Sequence, residues 1–309
     1  MDGSRVEMLI LIVCYNGAST LLNTVQSALV AASDVCVLAV DNGSTDHTLS
    51  LLKSIQDNRF QMISMGYNSG LGTAFNVGMN TAHDRGAKWL YILDQDSVLV
   101  AGCLEKLFQT AHDLLKHIPS VSAISPTVRC GAYPEIIHYP LKWNGKQLLP
   151  EIHGTRSSFS EAVQVDSPIS SGTLYRVDAL KAIGGFNESY FIDFVDHDCH
   201  LRLRKAGFTL WWEKNAEMFH QLGAIQRMTD SGLWIEHEPF RYYYMARNMT
   251  EGHRRIGGLM SMLIFWRELS RHIFRLHSYS RHPYAGIYYI LKGCFDAVIG
   301  KSGALASDP

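Results

Sequence analysis

Four short apolar runs, each followed by a polar or glycine-rich turn and then by a helix-patterned stretch, occupy the chain up to His117. The runs are Met8–Cys14, Val35–Val40, Phe60–Ser64 and Trp89–Leu93, with helical patterns over about Thr20–Ala32, Thr45–Ile55, Leu71–Ala82 and Gly102–His117. Runs this short, rich in β-branched, aliphatic and aromatic residues, read as buried strands. Strands alternating with helices imply right-handed crossovers and an α/β fold: a Rossmann-like, mixed but mainly parallel sheet with helices on both faces. Ligands bind such sheets beyond the carboxyl ends of the strands. Each polar turn falls at that edge.

The turn after the fourth run is Asp94-Gln95-Asp96. Two carboxylates there are placed to hold a divalent metal or a metal-bound diphosphate. Taken alone, an Asp-x-Asp triplet is more often a solvated turn, so its weight comes from its company. Cys14-Tyr15-Asn16-Gly17 ends the first strand, and Asp41-Asn42-Gly43-Ser44-Thr45-Asp46 ends the second. Asp41 can accept from a nucleobase imide or a ribose hydroxyl while the backbone of the first loop holds the base; the plain alternative is a strand-to-helix turn with a Ser or Thr cap. After the third strand, Asn68-Ser69-Gly70 opens a helix, and helix N-termini bind phosphates. The third glycine of a dinucleotide fingerprint is replaced by Phe75, and the motif follows the wrong strand, so a Rossmann dehydrogenase fits poorly.

With 309 residues and 47% hydrophobic content the chain can fill one large core or two modest ones. A net charge of -1 gives no electrostatic case for nucleic acid. The six cysteines show neither a CxxC pair nor zinc spacing, which points to buried free thiols in a reducing compartment. The opening residues lead directly into a strand rather than a signal peptide, and no run approaches the ~18 apolar residues of a membrane span. A cytoplasmic protein, soluble or at the inner face of the cell membrane, is expected. Charge is uneven, however. Between Arg241 and Lys301 ten basic residues face three acids, a net +7, interleaved with Leu263, Phe265, Trp266, Phe274, Tyr288 and Tyr289. That pattern fits an amphipathic helix on an anionic membrane or one packed on the main domain or a partner subunit.

From Val121 to Val177, prolines at 126, 134, 140, 150 and 168 predict short mixed strands and loops, with a flexible stretch near 154–160. A short helix ending at Gly184-Gly185, a helix from about Asp196 to Ala206 and a strand over Phe208–Glu213 follow. Asp193, Asp196 and Asp198 crowd the start of the Asp196 helix. The helix dipole favours their ionised forms, and mutual repulsion raises the proton affinity of at least one. An ionised carboxylate near a sugar hydroxyl is what a general base requires, although each could instead cap the helix.

The ordered set Cys-Tyr-Asn, Asp-Asn-Gly-Ser-Thr-Asp, Asn-x-Gly, Asp-Gln-Asp, Ser-Gly-Thr, Gly-Gly-Phe-Asn-Glu and Val-Asp-His-Asp resembles the family 2 glycosyltransferases with the GT-A fold, and within them the bacterial rhamnosyltransferases. The resemblance spans about Met8 to Asn248. It implies that Asp196 is the catalytic base, with Val195 standing where the family's Glu-Asp motif has glutamate. It implies donor contacts from Tyr15, Asn16, Asp41, Asn68, Gly70, Asp94, Gln95 and Asp96, with Arg247 as the cation beside the diphosphate. Ser171, Gly172, Thr173 and Asp193 would line the acceptor side, and Asp96 and His220 would hold Mg²⁺ or Mn²⁺. The implied reaction is inverting transfer of L-rhamnose from dTDP-L-rhamnose to a saccharide, lipid-linked saccharide or lipopolysaccharide core. Residues 1–240 would be the transferase domain and residues 241–309 a basic helical region, in a possible homo-oligomer. Two other classes share parts of the pattern. A sugar-phosphate nucleotidyltransferase would need a basic glycine-rich loop after strand one, where this chain has Tyr15-Asn16-Gly17; a non-catalytic sugar-nucleotide module would not need the full acid set.

Overall fold

A computed structural model of the chain describes residues 7–32, 34–154, 156–221, 225–230 and 232–305. Thr155, inside the stretch expected to be flexible, and residues 306–309 of the tail lie outside the described residues. The first half alternates as expected: β1 (Met8–Cys14), α1 (Leu21–Ala31), β2 (Cys36–Asp41), α2 (Thr48–Ser54), β3 (Phe60–Ser64), α3 (Leu71–Asp84) and β4 (Trp89–Asp94). Next come β5 (Ser97–Leu99), α4 (Cys103–Leu115), β6 (Val121–Cys130), β7 (Ile137–His138), β8 (Leu141–Trp143), β9 (Leu148–Pro150), β10 (Val163–Val165) and β11 (Leu174–Arg176). The chain continues through α5 (Val177–Ala182), α6 (Val195–Lys205), β12 (Thr209–His220), β13 (Ile225–Thr229), β14 (Gly232–Glu236), α7 (Pro239–Tyr279) and α8 (Pro283–Val298).

Among the described residues one large sheet runs in the order β10-β12-β6-β11-β4-β1-β2-β3, with β5 added to β12 and β7 to β6. β3, β2, β1 and β4 are mutually parallel. β11 enters antiparallel between β4 and β6, so β6 and β12 run parallel to the first four strands. Every residue of β1 is buried, and the side chains alternate between two cores. Leu9 and Leu11 meet Phe75 and Met79 of α3 and Leu203 of α6 on one face. Ile10 and Ile12 meet Val25 of α1 and Leu107 of α4 on the other. Each such leucine or isoleucine contributes about 1.5–3 kcal/mol by leaving water.

Three regions differ from the sequence reading. β6 is a ten-residue strand that runs through Pro126 rather than a broken segment. Pro126 pairs with Glu213 at the point where the β12 register shifts between Glu213 and Glu217, so its missing N–H falls where the ladder is already irregular. β12 is correspondingly longer than Phe208–Glu213 and ends at His220. The basic tail is not one helix. α7 is broken at Gly258 (φ 69, ψ -167), a conformation glycine tolerates. Its second half folds back on the first: Trp266 Nε1 donates to Thr250 Oγ1 at 3.1 Å, and the His272 and Tyr242 rings lie 5.8 Å apart. α8 then packs against the first half, where a Cβ on Gly293 would sit 2.4 Å from the Tyr243 carbonyl oxygen. No described helix is long and apolar enough to cross a membrane.

Candidate active site

Strand pairing places the acid triplet. β4 ends at Asp94, the chain turns, and β5 pairs with β12 so that Ser97 stands opposite His220. That register delivers an imidazole from far along the chain to the two acids. His220 Nε2 lies 3.4 Å from Asp94 Oδ2, and Nδ1 lies 3.0 Å from Asp96 Oδ1. Ser97 Oγ is 3.0 Å from the same Nδ1 and 2.8 Å from Ser171 Oγ, which accepts from the Asp94 N–H at 3.0 Å. Gln95 anchors the turn to the β1 loop: the Tyr15 N–H donates to its Oε1 at 2.8 Å, and its Nε2 donates to the Tyr15 carbonyl at 3.0 Å. A Cβ on Gly17 would fall 2.1 Å from Gln95 Oε1, so a side chain there would push the Gln95 amide off Tyr15.

The loops after β1, β2 and β3 are laced by side chain–backbone bonds. Asn16, at φ 50, accepts on Oδ1 from the Thr45 N–H at 2.8 Å and the Asp46 N–H at 3.3 Å. Asn42 Nδ2 donates to Asn68 Oδ1 at 3.1 Å, and the Gly70 N–H donates to that same oxygen at 3.1 Å. Asp41 is only 1% exposed and accepts from the Ser44 N–H and Ser64 Oγ at 3.3 Å each.

The second acid-bearing segment is strained. Phe191, Asp193 and Phe194 all have positive φ, at 64, 61 and 65, and three such non-glycine residues so close together store conformational energy. Asn248 holds them: its Nδ2 donates to the carbonyls of Tyr190 at 2.9 Å, Ile192 at 2.6 Å and Asp193 at 2.9 Å. Gly70, at φ 83, packs so closely that a Cβ would sit 2.9 Å from the Phe191 backbone. The three acids that follow separate by environment. Asp193 forms an ion pair with Arg241 at 3.0 Å. Asp198 is fully buried and paired with Arg202 at 2.7 Å and with Arg255. Asp196 keeps 19% side-chain exposure, accepting from the His197 N–H at 2.8 Å and the Ser170 N–H at 3.3 Å.

A cavity of about 490 Å³ joins these parts, a size that suits a small ligand. Tyr15, Asn68, Gly70, Asp94, Gln95, Asp96, Ser171, Asp193, Asp196 and His220 line it, together with Asn42, Ser170, His197, His237 and Arg241. Asn16, Asp41, Gly172 and Thr173 do not line it: Asn16 is exposed to solvent, and Asp41 and Thr173 are buried. Arg247 requires a correction. It is 1% exposed and does not reach the cavity; its guanidinium donates to Asn248 Oδ1 and to the carbonyls of Gly303 and Tyr190. Burying a guanidinium demands such full pairing, and that leaves Arg241, one helical face away, as the cation at the cavity. Arg241 stands six residues before Arg247 in the same helix-patterned stretch, and spacing along the sequence does not show which of the two faces the cavity.

Burial works against the charge on Asp196, but His197, His200 and the two backbone N–H donors outweigh it and hold the carboxyl below its usual range. His200 is itself neutral at pH 7, pushed down to about 3 by burial, which leaves His197 and the Ser170 and His197 N–H groups as the lowering influences on Asp196. Asp94 moves the other way, to about 6, chiefly through burial and also through repulsion from Asp96 and Asp196. Burial lowers the proton affinity of His220, but Asp96 and Asp94 more than offset that and raise it. Two acids and an imidazole drawn together in this way suit a divalent cation. The ligand atoms of Asp94, Asp96 and His220 lie within 4.8 Å of one another. Asp96 Oδ1 is buried and, among the described residues, receives no well-formed hydrogen bond. Two carboxylates suit Mn²⁺ or Mg²⁺, and the added imidazole favours Mn²⁺ over the strictly oxygen-seeking Mg²⁺.

The sheet order and the cavity at its carboxyl edge define a GT-A type fold. It is shared with GalNAc-T7 in complex with UDP, GalNAc and Mn²⁺, at a TM-score of 0.58 and 15% identity over 80% of this chain. This chain spans about half of that protein's length, 48%. It is also shared with residues 1–349 of S. aureus TarS bound to UDP-GlcNAc, at a TM-score of 0.55 and 16% identity over 94% of this chain and 81% of TarS 1–349. The chain belongs to glycosyl transferase family 2, whose pattern matches residues 9–184. Its relatives include the dTDP-rhamnosyl transferase RfbF of Shigella flexneri, 28% identical over 77% of this chain and 76% of RfbF. An N-acetylglucosaminyl-diphospho-decaprenol L-rhamnosyltransferase of Mycobacterium tuberculosis is 27% identical over 71% of this chain and 77% of that enzyme.

Proposed function

We propose that this family 2 glycosyltransferase moves L-rhamnose from dTDP-L-rhamnose to a hydroxyl of a saccharide or lipid-linked saccharide in bacterial surface polysaccharide synthesis, with inversion at the anomeric carbon. The observation that carries the reading is the ionised, accessible Asp196 on the wall of the cavity that also holds Asp94, Asp96 and His220. The rhamnosyltransferases among its relatives support the choice of sugar and nucleotide. In this mechanism Asp196 takes the proton of the acceptor hydroxyl as its oxygen bonds to the anomeric carbon. The bond from that carbon to the diphosphate oxygen breaks, and dTDP departs with the electron pair. Asn42, Asn68 and the Gly70 turn offer polar groups to the nucleotide, and Arg241 sets positive charge beside the leaving group. Asp94, Asp96 and His220 would hold a divalent cation, which when bound supplies charge neutralisation for the diphosphate.

The test is Asp196→Asn, assayed for transfer and for donor binding by thermal shift. Removing a general base lowers turnover by about 100- to 10,000-fold while a nucleotide sugar still stabilises the protein. Near-normal turnover in this variant would refute the assignment. A panel of nucleotide sugars in the same shift assay tests the donor, which should be dTDP-L-rhamnose.

A further inference from the structure

α8 presents two unlike faces. Gly286, Ile290, Gly293 and Ala297 pack inward. The outward face carries Tyr284 at 76% exposure, Tyr288 at 60%, Leu291 at 59%, Phe295 at 64% and Val298 at 58%. Their spacing of four, three, four and three residues makes one continuous stripe along the helix. A solvent-facing helix normally places charge there, and a contiguous apolar stripe marks an interaction surface. Leu259 at 64%, Met260 at 60% and Phe274 at 72% add exposed apolar residues on the fold-back half of α7.

Charge selects the partner. Of the three acids between Arg241 and Lys301, Asp296 is buried and held by Lys292 at 2.7 Å and Lys301 at 3.1 Å. Glu268 is engaged by Arg267 at 3.0 Å and Arg271 at 2.7 Å. Arg254, Arg267, Arg271, Arg281 and Lys301 are exposed and outnumber the half-buried acids Glu251 and Glu268, so the surface of these helices is net basic. Arg241 faces the cavity, Arg247 is buried and Arg255 pairs with Asp198, so the rest of the segment sets seven basic residues against three acids, a net +4. A second copy of the chain would bring two positive surfaces face to face, whereas an anionic lipid surface complements both the charge and the apolar stripe. We propose that the outer face of α8 seats this protein on an anionic lipid bilayer, with Tyr284, Tyr288, Leu291 and Phe295 entering the headgroup–acyl boundary.

The proposal stands apart from the reading of the cavity, because its assay contains neither donor nor acceptor. Truncation is unsuitable as a test, since Gly303 beyond α8 bonds to Arg247 and to Ser189 beside the active site. Instead the full chain is sedimented with phosphatidylcholine vesicles that do or do not contain about one third phosphatidylglycerol. The wild type should bind the mixed vesicles at low salt, and about tenfold less when the anionic lipid is omitted or salt is raised. Tyr288→Ser/Leu291→Ser/Phe295→Ser should lose about tenfold or more of that binding, with an unchanged melting temperature. Tyr284→Asp is the second variant: it adds an acid in the first turn of α8, where the helix tolerates one, and it should weaken binding as well. Absence of wild-type binding, or wild-type-like binding by a folded variant, overturns the proposal. So does a wild-type dimer that the triple variant converts to monomer while neither form binds vesicles.

Discussion

The cavity is built from two acid-bearing loops that are held in place in opposite ways. The Asp94–Ser97 turn rests on its own neighbours in the sheet: the Ser97–His220 register, the Ser171 hydroxyl and the Gln95–Tyr15 amide pair fix it from within. The Phe191–Asp196 segment has a backbone that would relax if left alone, and it is fixed from outside by Asn248 and Arg247 on α7 and by Gly303 after α8. One loop is positioned by the sheet and the other by the C-terminal helices. The helical region thus bears on the placement of Asp196, the proposed base, without supplying it.

Replacing Asp96 tests the sheet-held loop and should have the largest effect. Asp96→Asn should lower transfer by about 100- to 1,000-fold, because it removes charge at the candidate cation site. Mn²⁺ should restore activity to the chelator-treated wild type, and Asp96→Asn should abolish that recovery. A variant that keeps Mn²⁺-dependent recovery would show that the acid turn does not hold the cation. Asn248→Ala breaks the comparison from the other side. It takes the side-chain donor from the Ile192 and Asp193 carbonyls, while Tyr190 keeps Arg247; it costs about 1–3 kcal/mol of stability and lets Asp196 drift, which should lower turnover by about 100-fold. Donor affinity read at the Asp94–Ser97 turn should change little. If donor binding and turnover fall equally, the two loops are not held independently.

The smallest effect at neutral pH comes from the layer beneath the second loop. His200, between Tyr175 at 2.7 Å and Ser167 at 3.2 Å, is held neutral down to about pH 3, whereas in the unfolded chain it takes a proton near pH 6.5. The unfolded state therefore binds more protons between those values, so the stabilisation is complete above pH 6.5 and is lost as pH falls toward 3. The slope is on the order of 1 kcal/mol per pH unit, and a His200→Gln variant should flatten it in melting curves taken from pH 7 to 4.

The sheet-held loop was legible in the sequence because its signals are local. Apolar runs, the polar turns that end them and the Asp-x-Asp triplet all sit within a few residues of one another, and β1, β3 and β4 fall within a residue of their expected bounds. The strained segment was legible only as a cluster of acids. Positive φ at Phe191 and Phe194 has no sequence signature, since neither residue type favours it, and the partners that sustain it lie on α7. The choice between Arg241 and Arg247 turned on the helix's orientation, which is tertiary information. Pro126 concealed a strand because the compensating irregularity lies on another strand, β12. The Gly257-Gly258 pair and His282-Pro283 lie where the helical region breaks, and its charge pattern by itself does not place those breaks.

The bond between Gly303 and Ser189 bears on how the molecule comes into being on the ribosome. Synthesis is vectorial, and N-terminal portions emerge and begin to order first. The acids gathered around the cavity leave the exit tunnel long before the glycine that props the bend ahead of Asp196. A nascent polypeptide can therefore order the loops around Asp94 and Asp96 before the segment ahead of Asp196 gains its prop from Gly303.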